Sequence, residues 1–222
     1  MYFDPSEVGM APAPFKHTVF NALVVPRPIG WITTMSADGV VNLAPFSFFN
    51  AISAAPPCVI YCPSYFKPGV DAPEPSLVNV EATGEFVYNM CTHDLREKMV
   101  LTTRQSPRSA DEFADVGLEA APCEQVKPPR VKESPIALEC RHVQFVPLPA
   151  PEDGAAATAV IGQVVGIHIA DDVITEDGLV DMKKLRPLAR LGYYDFAVIE
   201  AEQIFSMQAP GDDRFATENK SS

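Results

Sequence analysis

A short reversal constrains this chain most. Asp38-Gly39 lies between IGWITTM (29–35) and VVNLAPF (40–46), two runs rich in β-branched and aromatic residues. Asp-Gly tolerates the positive φ that tight two-strand connections require, so the segment predicts an antiparallel hairpin. Further short runs follow the same grammar. PPCVIYCP (56–63) reads as a strand bracketed by prolines, EFVYNMC (85–91) as another, and IALECRHVQFVPL (136–148) and TAVIGQVVGIHIADDVI (158–174) as longer ones. Gly162 and Gly166 mark points where the last could bend or bulge. YYDFAVIEAEQIFSM (193–207) is expected to close the domain as a strand.

Helical signals are fewer. SLVNVEATG (76–84) has the length of two turns and ends on Gly84, a C-terminal cap. DLREKMVLTT places Glu97 three residues after Asp94, and SADEFADVG places Glu112 after Ser109, each a loose capping box. The 22 prolines punctuate the chain into short segments without dividing it into domains. About six strands with two or three short helices argue for a mainly β fold, a closed antiparallel barrel with helical insertions, because β-α-β alternation is not sustained. A single domain is expected over 1–222, with its core at about 15–205, an exposed loop at 147–157 and a polar tail at 209–222.

Charge and composition exclude several functions. The formal charge of −12, from 17 basic and 29 acidic side chains, opposes binding to nucleic acid or anionic lipid. No apolar run reaches the roughly 18 residues of a membrane span, and MYFDPSEVGMAPAPF lacks a basic region followed by an apolar one. A cytoplasmic location is the expectation. Cys58, Cys62, Cys91, Cys123 and Cys140 form no CxxC pair, and His17, His93, His142 and His168 are scattered. Cys58 and Cys62, four apart on a strand, read as small buried hydrophobes, and no metal is expected.

Candidate chemistry concentrates near the hairpin. Thr33, Thr34, Ser36, Ser47, Ser64 and Ser76 offer hydroxyls from which a phosphate site can be built without many cations, although two threonines are also simply good strand formers. In NLAPFSFFN (42–50), Pro45 cannot donate to a ladder, which places it at an edge, a bulge or a strand end and frees main-chain groups for a ligand. A flat ring with donors and acceptors along one edge could bind there, with Asn42 and Asn50 as polar contacts. Phe46, Phe48 and Phe49 would cover it, and at least one of the three is expected to point into the core instead.

RPIGWITTMSADGVVNLAPFSFFNAISAAPPCVIYCP resembles the signature of the flavin reductase-like proteins, the FMN-binding split-barrel family. SLVNVEATGEFVYNMCTHDLREKM, DEFADVGLEAAPCEQVKPPRVKESPIALEC, VIGQVVGIHI and LRPLARLGYYDFAVI continue the resemblance in order, from about Phe15 to Phe205. It implies a six-stranded antiparallel Greek-key split barrel, a homodimer, and FMN, with FAD the lesser option, near the subunit interface. Carried over by position, Thr33 and Thr34 would approach the phosphate or ribityl chain. The backbone of Ala44, Pro45, Phe46 and Ser47 would meet the ring's polar edge, and Asn50, Cys62 and Ser64 would line the pocket. Relatives usually carry a Lys-Asp-Thr-like sequence where the 76–84 helix begins. Here Ser76 can replace the threonine, Glu74 stands where a lysine is often found, and Lys67 is the substitute cation, with Arg27, Arg130 and Arg190 as other bases. The implied activity is transfer of reducing equivalents from NAD(P)H to flavin and on to an acceptor such as a partner oxygenase. A flavoredoxin-like electron carrier and a non-catalytic flavin-binding module are the alternatives. Where some relatives carry Gly-Asp-His for nicotinamide use, this chain reads RLGYYDF; Tyr193 and Tyr194 there fit stacking on a ring and ordinary strand positions equally.

Overall fold

The computed structural model describes residues 1–63, 74–104, 112–150, 156–207 and 210. Lys67, Ser64, Ser109, the centre of the 147–157 loop and nearly all of the polar tail lie outside them. The elements are β1 (Arg27–Pro28), β2 (Gly30–Met35), β3 (Val41–Phe46), β4 (Phe49–Ala54), β5 (Pro57–Tyr61), β6 (Glu85–Met90), β7 (Ala120–Ala121), β8 (Arg130–Val131), β9 (Ile136–Pro147), β10 (Thr158–Ile169), β11 (Leu188–Arg190) and β12 (Phe196–Val198). Short helices interrupt them: α1 (Pro5–Val8), α2 (Phe20–Leu23), α3 (Pro75–Thr83), α4 (Arg96–Leu101), α5 (Glu112–Asp115) and α6 (Met182–Leu185).

Seven strands form one antiparallel sheet in the order β3-β2-β6-β9-β10-β5-β4. Its outermost strands, β3 and β4, are joined by only Ser47 and Phe48. An extended chain advances at most about 3.6 Å per residue, so Phe46 and Phe49 lie within about 11 Å of each other. The sheet must therefore curl until its two ends meet. The result is a barrel with a seam between β3 and β4 that no ladder closes.

Alternation sorts the side chains across the barrel wall. Ile32, Val59, Tyr61, Phe86, Cys140 and Val160 fill the interior with Leu77 and Val80 of α3. Their neighbours Trp31 and Leu43 point outward into a second core with Met99, Phe113 and Leu188, where Trp31 Nε1 donates to Thr102 Oγ1 at 3.0 Å. Both faces of β2 are thus buried, as its burial pattern records.

The main sheet has seven strands where about six were expected. The added strand is β4, whose FNAISA is exposed past Phe49 and lacks a regular apolar alternation, so it carries little strand signal. The expected long closing strand shrinks to β12, paired in a small sheet with β11 and β1, before the chain turns into a 3₁₀ turn at Ala201–Gln203. The hairpin forms as expected, with Gly39 at φ 85°. Gly84 caps α3 at φ 72°, its N–H donating to Val80 O at 2.8 Å. Register shifts fall at Ile161/Gly162 and Val164/Gly166, the two anticipated bulges. The Asp94–Glu97 capping box does not form. A 3₁₀ turn at His93–Leu95 makes Leu95 the N-cap of α4, and the Asp94 carboxylate instead faces His93 and Arg186.

Candidate functional site at the barrel seam

Pro45 lies in β3, an outermost strand of the sheet, so its missing N–H costs no ladder bond. One step back along the same edge, Leu43 N–H donates to Glu112 Oε2 at 2.5 Å, so α5 closes the edge up to Leu43. The open stretch begins at Pro45 and runs through the half-buried Ser47 to the exposed Phe48 and Asn50. Extending the β4–β5 ladder by one pair, Cys62 N–H donates to Phe48 O at 2.9 Å, which brings Cys62 to the same rim. Burial pushes the Cys62 thiol upward, so it stays protonated at neutral pH. Asn50 Oδ1 accepts from the Ala51 N–H at 2.9 Å, leaving its Nδ2 group for other partners.

The phenylalanines divide by geometry. Phe46 packs into the barrel 5.2 Å from Tyr61, and Phe49 stacks on Tyr88 at 4.6 Å with a 9° interplanar angle. Strict alternation would put Phe46 and Phe48 on one face; the bend at Ser47–Phe48 resets the register, so Phe49 turns inward and Phe48 outward. Arg27 sits 5.6 Å from the Phe48 ring. Its guanidinium is committed to the carbonyls of Asn21, Val24 and Leu191, which ties the strand to the segment before it and to the turn after β11. Arg190 likewise donates to Tyr193 O and lies over Phe196.

Of the remaining hydroxyls, Ser36 Oγ accepts from Val40 N–H at 3.1 Å in the hairpin turn, and the others among the described residues are held inside. Thr33 and Thr34 are fully buried and, as neighbours on a strand, face opposite sides. Thr33 Oγ1 accepts from Asn89 Nδ2 at 2.9 Å, and Thr34 Oγ1 from Asn79 Nδ2 at 3.0 Å. Asn42 Nδ2 donates to the buried Ser76 Oγ at 2.9 Å. Thr34, Asn42, Ser76 and Asn79 therefore knit α3 to β2 and β3, whereas Pro45, Ser47, Phe48, Asn50 and Cys62 form the accessible rim and Ala44 is buried behind it. Sequence reasoning missed Asn79 and Asn89; a lone asparagine gives no local signal of a partner more than forty residues away. Glu74 is itself buried at the start of α3. A separate cavity of about 450 Å³ beside α4 and β11 is lined by Val100, Leu101, Leu188 and Phe196 with the charged Arg96 and Glu97.

Comparison with known proteins places this geometry. Residues 22–193 match the model of the flavin reductase like domain family. A protein of Aquifex aeolicus is 37% identical over 174 residues, covering 78% of this chain and 85% of that protein. Nitrilotriacetate monooxygenase component B from Bacillus cereus superposes with a TM-score of 0.81 at 26% identity, over 93% of this chain and 98% of that one. A proposed flavin reductase with a split-barrel domain from Shewanella frigidimarina gives 0.76 at 19% identity, over 94% and 99%, a likeness of fold.

Proposed function

Because the chain belongs to the flavin reductase-like family, we propose that it is an FMN-binding oxidoreductase that takes reducing equivalents from NAD(P)H. The observation that carries this reading is the open edge of β3 from Pro45 to Ser47 at an unladdered seam. Its groups fit a flavin ring edge: the main chain offers a carbonyl without an N–H at Pro45 and both groups at Ser47, with Phe48 and Asn50 exposed beside them. Bound flavin would supply the hydride chemistry, and the protein would supply position and shelter from water.

In this account the main chain of Ala44 to Ser47 orients the ring's polar edge, Asn50 and Cys62 bound the pocket, and Phe48 covers one side. Thr33, Thr34, Asn42 and Ser76 act through the strands they fix. The chain acts as one domain and pairs with a second copy near the site, a reading supported by the exposed apolar side chains of Phe20, Leu23 and Val24 and of Ile52 on β4. The Bacillus cereus neighbour is a monooxygenase component, so a partner oxygenase is the proposed acceptor. No described helix is long and apolar enough to cross a membrane.

Titration of the protein with FMN, followed by quenching of flavin fluorescence, tests the site. Ser47→Ala and Asn50→Ala together should weaken binding by about 5- to 160-fold, since each lost hydrogen bond contributes about 0.5–1.5 kcal/mol. Unchanged affinity would remove the rim from the binding site.

A further inference from the structure

On the outer face of the barrel wall, in the middle of the sheet and apart from the seam, three unlike side chains converge. Cys123 Sγ, a Glu139 carboxylate oxygen and a His168 ring nitrogen all lie within 4.8 Å of one another. They come from the loop before β8, from β9 and from β10, so no sequence spacing announces them. We propose that Cys123, Glu139 and His168 form a binding site for a borderline-soft divalent metal ion, zinc above all, with water completing the coordination.

Three observations support a built site. Glu139 is 1% exposed, and its carboxylate is oriented by the N–H groups of Glu124 at 2.9 Å, Gln125 at 2.5 Å and Val126 at 3.2 Å. Main-chain donors directed at a carboxylate are the outer contacts that fix a metal ligand and favour its anionic form. Second, β10 is irregular at this point. Its register shifts between Val164 and Gly166, and a Cβ on Gly166 would come within 2.9 Å of Glu139 Cδ, so the missing side chain leaves the carboxylate its place. Bulges re-aim side chains, and this one precedes His168 by two residues.

Third, the donor atoms already stand close to the spacing that a metal ion would impose. A divalent ion would displace the thiol proton to solvent, and one thiolate, one carboxylate and a neutral imidazole would then leave the centre uncharged. His168 Nε2 and Glu139 Oε1 are now 2.5 Å apart, sharing a hydrogen bond. Metal–ligand distances of about 2.0–2.3 Å require that contact to open by less than about 1 Å while the sulfur closes in. The sulfur, nitrogen and oxygen donor set suits zinc better than magnesium or calcium, which take oxygen ligands.

The test uses the full-length protein, treated with chelator, desalted and titrated with Co²⁺ under reducing conditions. A thiolate-to-metal charge-transfer band should grow to saturation at one equivalent, disappear on addition of Zn²⁺, and be absent from Cys123→Ser. His168→Gln should weaken Co²⁺ binding by at least roughly tenfold. Zn²⁺ should also raise the unfolding temperature of the wild type and leave that of Cys123→Ser unchanged, a readout that does not depend on the visible band. Absence of a thiolate band in the wild type, or a band of equal strength in Cys123→Ser, would overturn the proposal and leave Glu139 and His168 as a structural pair.

Discussion

Replacing Thr33 by valine distinguishes a hydroxyl that holds the fold from one that holds a ligand. The side chain is fully buried, and its oxygen accepts one hydrogen of Asn89 Nδ2 at 2.9 Å. The same amide also donates to Trp31 O at 3.1 Å, and its oxygen accepts from Val131 N–H at 2.7 Å. Valine is nearly isosteric, so no cavity opens; what is lost is one buried hydrogen bond, with a donor left unsatisfied. That costs about 1–3 kcal/mol. At roughly 2–4 °C per kcal/mol for a chain of this length, the melting temperature should fall by about 2–12 °C. Asn89→Ala, which removes all three bonds, should cost more. In that background Thr33→Val should cost much less than it does alone, giving a coupling of about 0.5–3 kcal/mol. Urea unfolding of the four proteins measures the cycle, and FMN titration of each measures the site. Unchanged stability in Thr33→Val, together with a tenfold loss of FMN affinity, would refute the reasoning and put the hydroxyl on the ligand.

Three glycines give further tests. A Cβ at Gly30 would lie 2.6 Å from Phe49 Cδ2 and 3.0 Å from its Cβ, so Gly30→Ala must displace Phe49 from Tyr88; FMN titration should show weakened binding through the loosened seam. At Gly162 an added Cβ would meet Phe86 Cζ at 2.3 Å, so Gly162→Ala should cost about 1–3 kcal/mol in urea unfolding, part of it recovered by Phe86→Leu. Gly84 has open space around its missing Cβ but a φ of +72°, so Gly84→Ala should cost only the left-handed backbone penalty of about 1–2 kcal/mol, read from the same denaturation curves.

What the sequence made legible is local chemistry. Asp38-Gly39, Gly84, Gly162 and Gly166 act within a few residues of themselves, and the hairpin, the helix cap and both bulges are where those residues place them. Pro45 likewise announced an edge, since it lacks the donor a central strand needs. The illegible features are those decided by distant partners. β4 is exposed along most of its length and mixes small and polar residues with Phe49 and Ile52 in no alternating pattern, so only its ladder to β5 identifies it as a strand. Thr33 and Thr34 look alike in sequence, and their partners Asn89 and Asn79 are revealed only by the folded sheet and α3. Phe46, Phe48 and Phe49 could be sorted only once the bend between β3 and β4 was known. Asp94 had the spacing of a cap, but competition from His93 and Arg186 engaged its carboxylate.

The most direct test of the functional account is anaerobic visible absorption of the FMN-loaded protein during addition of NADH and, separately, NADPH. The account predicts that the flavin band bleaches with at least one of the two nicotinamides and returns on admission of oxygen. A band that persists with both, yet bleaches with dithionite, would contradict it and identify an electron carrier reduced by some other donor.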